Sequence, residues 1–170
     1  MKNQVLGLLL VVASIFSANA QEKLMTRTGS VTFLSSTPME TFEAKNNQVA
    51  SIITKNDNVL AFNVLMKSFK FEKALMEEHF NEKYVHSDKY PAAKFKGFIP
   101  TSINLEEPNT HKGVNIKGEM IFHGVTKPVE VVGDIVVNAD KSVNFNSSFD
   151  IKLADYNVCL LYTSPSPRDA

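Results

Sequence analysis

The chain has 170 residues, with 18 basic and 18 acidic side chains and a single cysteine. A formal net charge of zero argues against nucleic-acid binding, which relies on a basic surface. The length fits one domain with a full core, and one cysteine cannot form an intrachain disulfide.

The first 20 residues are predicted to be a secretory signal peptide. They combine Lys2, an apolar run over Val5–Phe16, and the small-residue pattern Ala18-Asn19-Ala20. The alternative is a membrane anchor, but the run is shorter than the roughly 20 residues that span a bilayer. The sequence therefore predicts cleavage after Ala20 and a periplasmic or secreted bacterial protein.

The last 12 residues, 159–170, have no hydrophobic periodicity. They resemble the in-frame translation of a sequencing adapter, which predicts that the native chain continues differently beyond Val158. A natural Ser-Pro tail is the alternative. We therefore expect the folded domain at residues 21–158, truncated at its carboxyl end and lacking its last strand.

The first part of this domain predicts strands that are divided by polar turns. The predicted ranges are Leu24–Ser35, Phe42–Ala44, Gln48–Thr54 and Val59–Lys67. Asn46-Asn47 and Lys55–Asn58 supply the turn residues. Alternation places four residues of the last strand on one face: Leu60, Phe62, Val64 and Met66.

One segment, Phe71–Lys83, predicts a helix because it is a run of strong helix formers. Five residues fill about half of its helical wheel: Phe71, Leu75, Met76, His79 and Phe80. Glu72 interrupts that arc, which indicates either a short helix or one that sits over an opening. Ser87–Pro91 ends the segment.

Alternating strands return after the helix. The predicted ranges are Ala93–Ile99, Val114–Phe122, Val129–Val137 and Val143–Leu153, with turns at Asn109–Gly113, His123–Pro128 and Asn138–Lys141. Strands at about ten-residue spacing, joined by hairpins, indicate an antiparallel sheet that closes or sandwiches. We predict an all-β fold, a lipocalin-like antiparallel β-barrel with one short inserted helix.

The four histidines are the candidates for a metal or acid–base site: His79, His86, His111 and His123. None has His-x-x-x-His spacing, and no cysteine supports them. Structural or surface histidines are the favoured interpretation, so we predict no metal, no catalytic residue and no enzymatic activity.

Large apolar residues dominate the predicted inward faces. They either fill the barrel or line a cavity for an apolar ligand, and physical reasoning alone favours the filled barrel.

Several motifs, in this order, resemble the YceI-like family of secreted lipid- or polyisoprenoid-binding proteins. They are Gly29–Phe33, Phe62-x-Val64, Lys67–Phe69, Lys73–Glu82, Ser87–Pro91, Phe95–Gly97, Gly118 to Lys127 and Phe149–Tyr156. The resemblance implies a lipocalin-like barrel with a helix near its mouth, an apolar tunnel for a long chain, and no catalysis. The chain departs from the family in having no tryptophan and no strand after the Leu-Ala-Asp-Tyr motif.

We expect the protein to hold a polyisoprenoid or fatty-acyl chain, with no other cofactor and with a homodimer as an open possibility. The predicted lumen residues are Phe33, Phe62, Val64, Met66, Phe71, Leu75, Met76, Phe80, Ile116, Met120, Phe122, Val131, Ile135, Phe145 and Phe149. The predicted head-group residues at the mouth are His79, His86, Lys89, Tyr90 and His123. The alternative is a structural or stress-related barrel with a filled core and no ligand.

Overall fold

The computed structural model describes residues 22–36 and 41–158. These residues form eight strands: β1 (Lys23–Ser36), β2 (Thr41–Thr54), β3 (Val59–Leu65), β4 (Lys70–Phe71), β5 (Ala92–Phe98), β6 (Asn109–Phe122), β7 (Val125–Val137) and β8 (Val143–Ser147). Four helical pieces complete them: a 3-10 helix (Met66–Ser68), α1 (Ala74–His79), a π-helical turn (Phe80–Tyr84) and a 3-10 helix (Leu153–Tyr156).

The strands form one antiparallel sheet in the order β1-β2-β3-β5-β6-β7-β8. The short β4 pairs with Ala44 and Lys45, near the start of β2. The sheet curls into a nearly closed barrel. Within the described residues, no further strand pairs with the outer edge of β1 or of β8. The predicted all-β barrel with a short helix is confirmed.

Side-chain alternation sets the core, as predicted. Along β5, Ala93, Phe95 and Gly97 are buried, while Lys94 and Lys96 between them are exposed. Strand pairing carries this inward face from strand to strand, because directly opposed residues point to the same side of a sheet.

The predicted turn at Asn46-Asn47 is wrong, because β2 runs through it. The Asn46 side chain is buried; its amide donates to the Leu65 carbonyl, and its side-chain oxygen accepts the Gln48 N–H, both at 2.9 Å. Asn46 therefore satisfies backbone groups of β2 and β3 instead of ending a strand. Similarly, β6 starts at Asn109 and absorbs the predicted turn up to Gly113 in a bulge.

Other predicted boundaries also need correction. Strand β3 ends at Leu65 and not at Lys67, because a 3-10 helix begins at Met66. The predicted connection His123–Pro128 is shorter, because β7 begins at Val125. The α-helix covers Ala74–His79 only, and Phe71 lies in β4 instead of in the helix. Strand β8 ends at Ser147, so Leu153 belongs to a 3-10 helix.

The barrel has two distinct ends. At the helix end, β3 ends, β5 begins and β6 turns into β7 at His123-Gly124; the segment Ala74–Tyr84 lies there. At the turn end lie the connections 55–58, 99–108 and 138–142.

The predicted signal peptide and the predicted adapter-like tail lie outside the described residues. Among the helices that are described, none has the length and apolar character needed to cross a membrane.

Candidate functional site

The helical segment, Ala74–Tyr84, is fixed to the sheet by one carboxylate. Lys70 Nζ donates to Glu77 Oε1 at 2.6 Å, and the Phe71 N–H donates to Glu77 Oε2 at 3.4 Å. The hydrogen bond from Lys70 is the main cause that lowers the pKa of Glu77, with help from the Phe71 N–H. Glu77 therefore joins α1 to β4 while it is ionised.

Five aromatic rings lie between this segment and the sheet. We call them the phenylalanine cluster: Phe33, Phe42, Phe69, Phe71 and Phe80. Phe80 is central, with its ring centroid 5.0 Å from that of Phe71, 5.6 Å from Phe69 and 6.1 Å from Phe33. The π-helical turn starts at Phe80 and directs this side chain into the barrel. Such turns interrupt α-helices mainly where a side chain must be redirected, often at functional sites.

The barrel interior is packed differently in its two halves. Toward the turn end, aliphatic residues are almost completely shielded from solvent: Leu60, Ile116, Val131 and Ile135. An internal cavity large enough for water would leave part of their surface accessible, so side chains fill this half.

Toward the helix end, several apolar residues that pack against the core keep part of their surface accessible: Phe33, Phe62, Phe71 and Val125. The rings of Phe62 and Phe95 stack with centroids 4.8 Å apart. Among the predicted lumen rings, Phe33, Phe62 and Phe71 are half-buried in this half, and Phe145 is the half-buried ring of the turn-end half.

A hydrogen-bonded histidine pair lies at the helix end. His86 Nδ1 and His123 Nε2 are 2.9 Å apart, and His123 Nδ1 is 3.0 Å from the Tyr156 carbonyl oxygen. A carbonyl can only accept, so His123 Nδ1 carries a proton, and in the neutral ring Nε2 accepts from His86 Nδ1–H. The His86–His123 contact requires that one of the two facing nitrogens carries a proton and that the other does not.

Backbone and aromatic contacts hold this pair in place. Both histidines have left-handed backbone conformations, with φ of 47° at His86 and 49° at His123. The Tyr90 ring centroid is 4.4 Å from that of His123. A Cβ added at Gly124, where φ is +75°, would lie 2.6 Å from Tyr90 Cε1, so only glycine permits this packing.

An ion network closes the opposite, turn end. Lys55 Nζ, whose side chain is 3% exposed, lies 2.9 Å from Glu22 Oε1 and 3.2 Å from Glu106 Oε2. The hydrogen bond from Lys55 lowers the pKa of Glu22, and the hydrogen bond to Glu22 is the main cause that raises the pKa of Lys55.

Comparison with protein families gives one match. The model of the YceI-like domain matches residues 16–166, which is most of the chain. The chain belongs to the YceI-like family. A search of curated proteins returned no match.

Comparison with solved structures found several proteins that are similar to this chain. A polyisoprenoid-binding domain from Saccharophagus degradans, implicated in plant cell wall breakdown, has a TM-score of 0.63 at 12% identity over 80% of each chain. BcnA from Burkholderia cenocepacia has a TM-score of 0.49 at 17% identity over 79% of this chain and 72% of that chain. The YCEI protein of Campylobacter jejuni has a TM-score of 0.49 at 15% identity over 93% and 85%.

Most predicted lumen residues of this YceI-like domain lie inside the barrel. Eight are buried: Val64, Met66, Phe80, Ile116, Met120, Phe122, Val131 and Ile135. Phe33, Phe62, Phe71, Met76 and Phe145 are half-buried. Leu75 and Phe149 are instead 62% and 38% exposed, because the short α1 turns Leu75 outward and Phe149 lies beyond β8.

Four of the five predicted head-group residues lie together. His86, Tyr90 and His123 are in contact, and Lys89 Nζ is 5.1 Å from the Tyr90 ring centroid. His79 lies at the end of α1, and in the described chain no hydrogen bond or ring contact joins it to this group.

Sequence reasoning missed Phe42, Phe69 and Tyr156 as parts of the site. Tyr156 packs its ring 5.6 Å from that of Phe122, and burial, followed by the nearby Asp155 charge, raises the pKa of its hydroxyl. The Leu-Ala-Asp-Tyr motif was visible in the sequence, but nothing in it indicated contact with His123, 33 residues earlier.

Within the described residues, no cluster of three or more histidine, cysteine, aspartate or glutamate side chains could hold a metal ion. The site therefore consists of an apolar interior and a polar mouth, both at the helix end.

Proposed function

We propose that this YceI-like domain binds a long apolar chain, a polyisoprenoid or a fatty-acyl lipid, in the helix-end half of its barrel. The observation that carries the proposal is the contrast in packing along the interior. Leu60, Ile116, Val131 and Ile135 are almost completely shielded in the turn-end half, whereas Phe33, Phe62, Phe71 and Val125 are only half-buried in the helix-end half.

Apolar burial would supply the affinity. Each Å² of apolar surface removed from water contributes roughly 25 cal/mol, and a linear chain offers a large area for its mass. The helical segment covers this half of the barrel, and Glu77 holds it to β4. The chain would enter beneath this segment and stop against the filled half.

The mouth would hold the ligand's polar head. Lys89 supplies an exposed cation beside Tyr90, and the paired rings of His86 and His123 lie next to it. A phosphate or carboxylate head would be attracted to this positive charge. His86, Lys89, Tyr90 and His123 are the proposed head-group residues, and the role is one of binding without catalysis.

Family membership supports the proposal, as does the binding of polyisoprenoid by the domain from Saccharophagus degradans. The predicted export signal would place the protein in the periplasm or outside the cell, where lipid carriers operate. A filled structural barrel with no ligand remains the second candidate, and the packed turn-end half favours it.

Native mass spectrometry of protein purified from a bacterial host tests the proposal. We expect a bound mass that organic extraction removes, and saturable binding of the fluorescent fatty acid cis-parinaric acid to the extracted protein. An absence of any bound lipid, together with no binding of this probe, would leave the filled structural barrel as the function.

A blocking variant localises the site. Ala93 is buried on the inner face of β5 opposite Val64, so Ala93→Trp would occupy the helix-end half and abolish probe binding. Lys117→Trp places the same ring on the outer face of β6 and should bind as the native protein does. Circular dichroism confirms that both variants are folded.

A further inference from the structure

A second concave surface lies on the outside of the barrel. It is a groove of about 660 Å³ across β1, β2, β3, β5 and β6. Strand pairing builds it from two rows of outward-facing residues. One row is Ala50, Asn63, Lys94 and Ile121, and the other is Met25, Ile52, Ala61, Lys96 and Glu119.

Most of the accessible surface of this outer groove is apolar, although half of the residues that line it are polar or charged. Ala50 and Ala61 have short side chains, which creates the depression in the middle of the sheet. Met25 and Ile121 stand at its edges and are 66% and 41% exposed. Contiguous exposed apolar surface of this kind on a soluble domain commonly marks a binding site.

Three cations surround this apolar strip: Arg27, Lys94 and Lys96. Within the described residues, none of the three has an ion-pair or hydrogen-bond partner. One carboxylate, Glu119, also lines the groove opposite Lys96 but is not within ion-pair distance of it. The groove therefore carries an excess of uncompensated positive charge.

We propose that the outer groove binds a single-chain anionic amphiphile, separately from the barrel interior. The apolar chain lies along Ala50 and Ala61, and a phosphate or carboxylate head meets Arg27, Lys94 and Lys96. The volume falls within the range of small-molecule sites. Charge complementarity selects an anionic head, and the narrow alanine floor selects one chain over two. This site does not depend on the lipid-binding function proposed for the interior.

Calorimetric titration with dodecyl phosphate below its micelle concentration tests the site. We expect saturable binding of dodecyl phosphate, none of inorganic phosphate, and at least tenfold weaker binding of dodecyl maltoside, which has the chain without the charge. Dodecanoate in a parallel titration distinguishes a carboxylate head from a phosphate head. Equal affinity for dodecyl maltoside and dodecyl phosphate would overturn the proposal.

Variants on the outer face assign the contacts. Lys94→Gln with Lys96→Gln should weaken binding roughly tenfold, as expected for the loss of two charge contacts near a surface. Ala61→Leu fills the floor and should weaken it by a similar factor. The control Lys117→Gln removes an exposed cation on the same face but outside the groove, and should leave affinity within about twofold.

The interior variant separates the two sites. Ala93→Trp removes any binding of dodecyl phosphate inside the barrel, so the sites that remain in this variant should be those of the groove, and the groove variants should still weaken them about tenfold. If Ala93→Trp abolishes that binding while the groove variants do not affect it, the amphiphile occupies the interior and the outer groove is not a site. Binding to phosphatidylglycerol vesicles without binding of the monomeric amphiphile would assign a membrane surface as the partner, and would likewise overturn the proposal.

Discussion

The two ends of the barrel hold their residues by different means. At the turn end, shielded aliphatic side chains fill the interior, and the buried Lys55 ties two carboxylates together. At the helix end, five phenylalanine rings pack at centroid distances of 5.0–6.5 Å beneath a short helix and a π-helical turn. We therefore expect the turn end to contribute more to the free energy of unfolding, and the helix end to present apolar surface that a ligand can cover.

Side chains pack closely around Gly133 in the turn-end half. A Cβ added at Gly133 would lie 2.6 Å from a ring carbon of Phe145 and from the Asn146 carbonyl oxygen. Because real Cβ atoms do not approach so closely, only glycine allows Phe145 to pack across β7.

The largest expected effect lies in the filled half. Ile116→Ala removes a fully buried side chain where neighbours cannot relax into the space, so it should lower the free energy of unfolding by about 4 kcal/mol. Urea denaturation measures the change. The exposed Leu75→Ala serves as control and should stay within about 0.5 kcal/mol of the native protein. A similar loss in both variants would contradict the contrast between the ends.

The next effect concerns the phenylalanine cluster. Phe80→Ala removes the ring that contacts Phe33, Phe69 and Phe71, and should cost about 3 kcal/mol because the looser helix end can partly collapse. Hydrogen exchange should accelerate in Ala74–Tyr84 and remain slow in β7. The exposed Phe98→Ala should change neither quantity. Unchanged exchange in the helical segment would show that Phe80 does not hold it.

The ion network at the turn end should give a smaller, pH-dependent effect. Lys55→Met leaves Glu22 and Glu106 without their cation and should cost on the order of 1 kcal/mol, because both carboxylates are half-exposed. Lys45→Met is the control, since Lys45 forms an exposed pair with Glu43 and should contribute almost nothing.

The pKa shifts define the pH window of that effect. The pKa of Glu22 is lowered from 4.5, so its contribution is present above that pH and is lost as the pH falls through the folded-state value. The pKa of Lys55 is raised from 10.5, so its contribution is present below that pH and is lost as the pH rises through the folded-state value. Melting temperatures of native and Lys55→Met protein should differ most between these limits and converge at low pH. A difference that does not vary with pH would exclude the network as its cause.

The smallest expected effect is at the mouth. Asparagine tolerates the left-handed backbone, so His123→Asn should keep the turn and cost about 1 kcal/mol through the lost contacts with His86 and Tyr156. Binding of cis-parinaric acid should weaken severalfold. His111→Asn, in the bulge of β6, should leave binding unchanged. Equal effects of the two substitutions on probe binding would show that the His86–His123 pair does not hold the head group of the ligand.

The sequence predicted the parts of the fold that rest on local periodicity. Alternation in β3, β5, β6 and β7 identified the inward faces, because one face of each strand is buried and the other exposed. The continuation of β2 through Asn46 escaped prediction, because a buried asparagine that bonds to a neighbouring strand has the same local sequence pattern as a turn residue.

The site was harder to predict than the fold. The His86–His123 pair joins residues 37 positions apart, and the phenylalanine cluster draws on β1, β2, β4 and the helical segment. No local sequence pattern predicts contacts between residues that lie so far apart in the chain. Leu75 was misplaced because the helical wheel assumed a long helix, whereas α1 gives way to a π-helical turn after His79.

Methyl NMR on methionine- and isoleucine-labelled protein tests most directly whether a lipid occupies the helix-end half. Titration with geranylgeraniol should shift the methyl signals of Met66 and Met120, which are buried at the helix end, and of Met76 in α1, and should leave those of Ile116 and Ile135 unchanged. Met25, in the outer groove, should also be unaffected by this uncharged ligand. Shifts at Ile116 and Ile135 equal to those of the three methionines, or no shift at any of the three, would contradict the account.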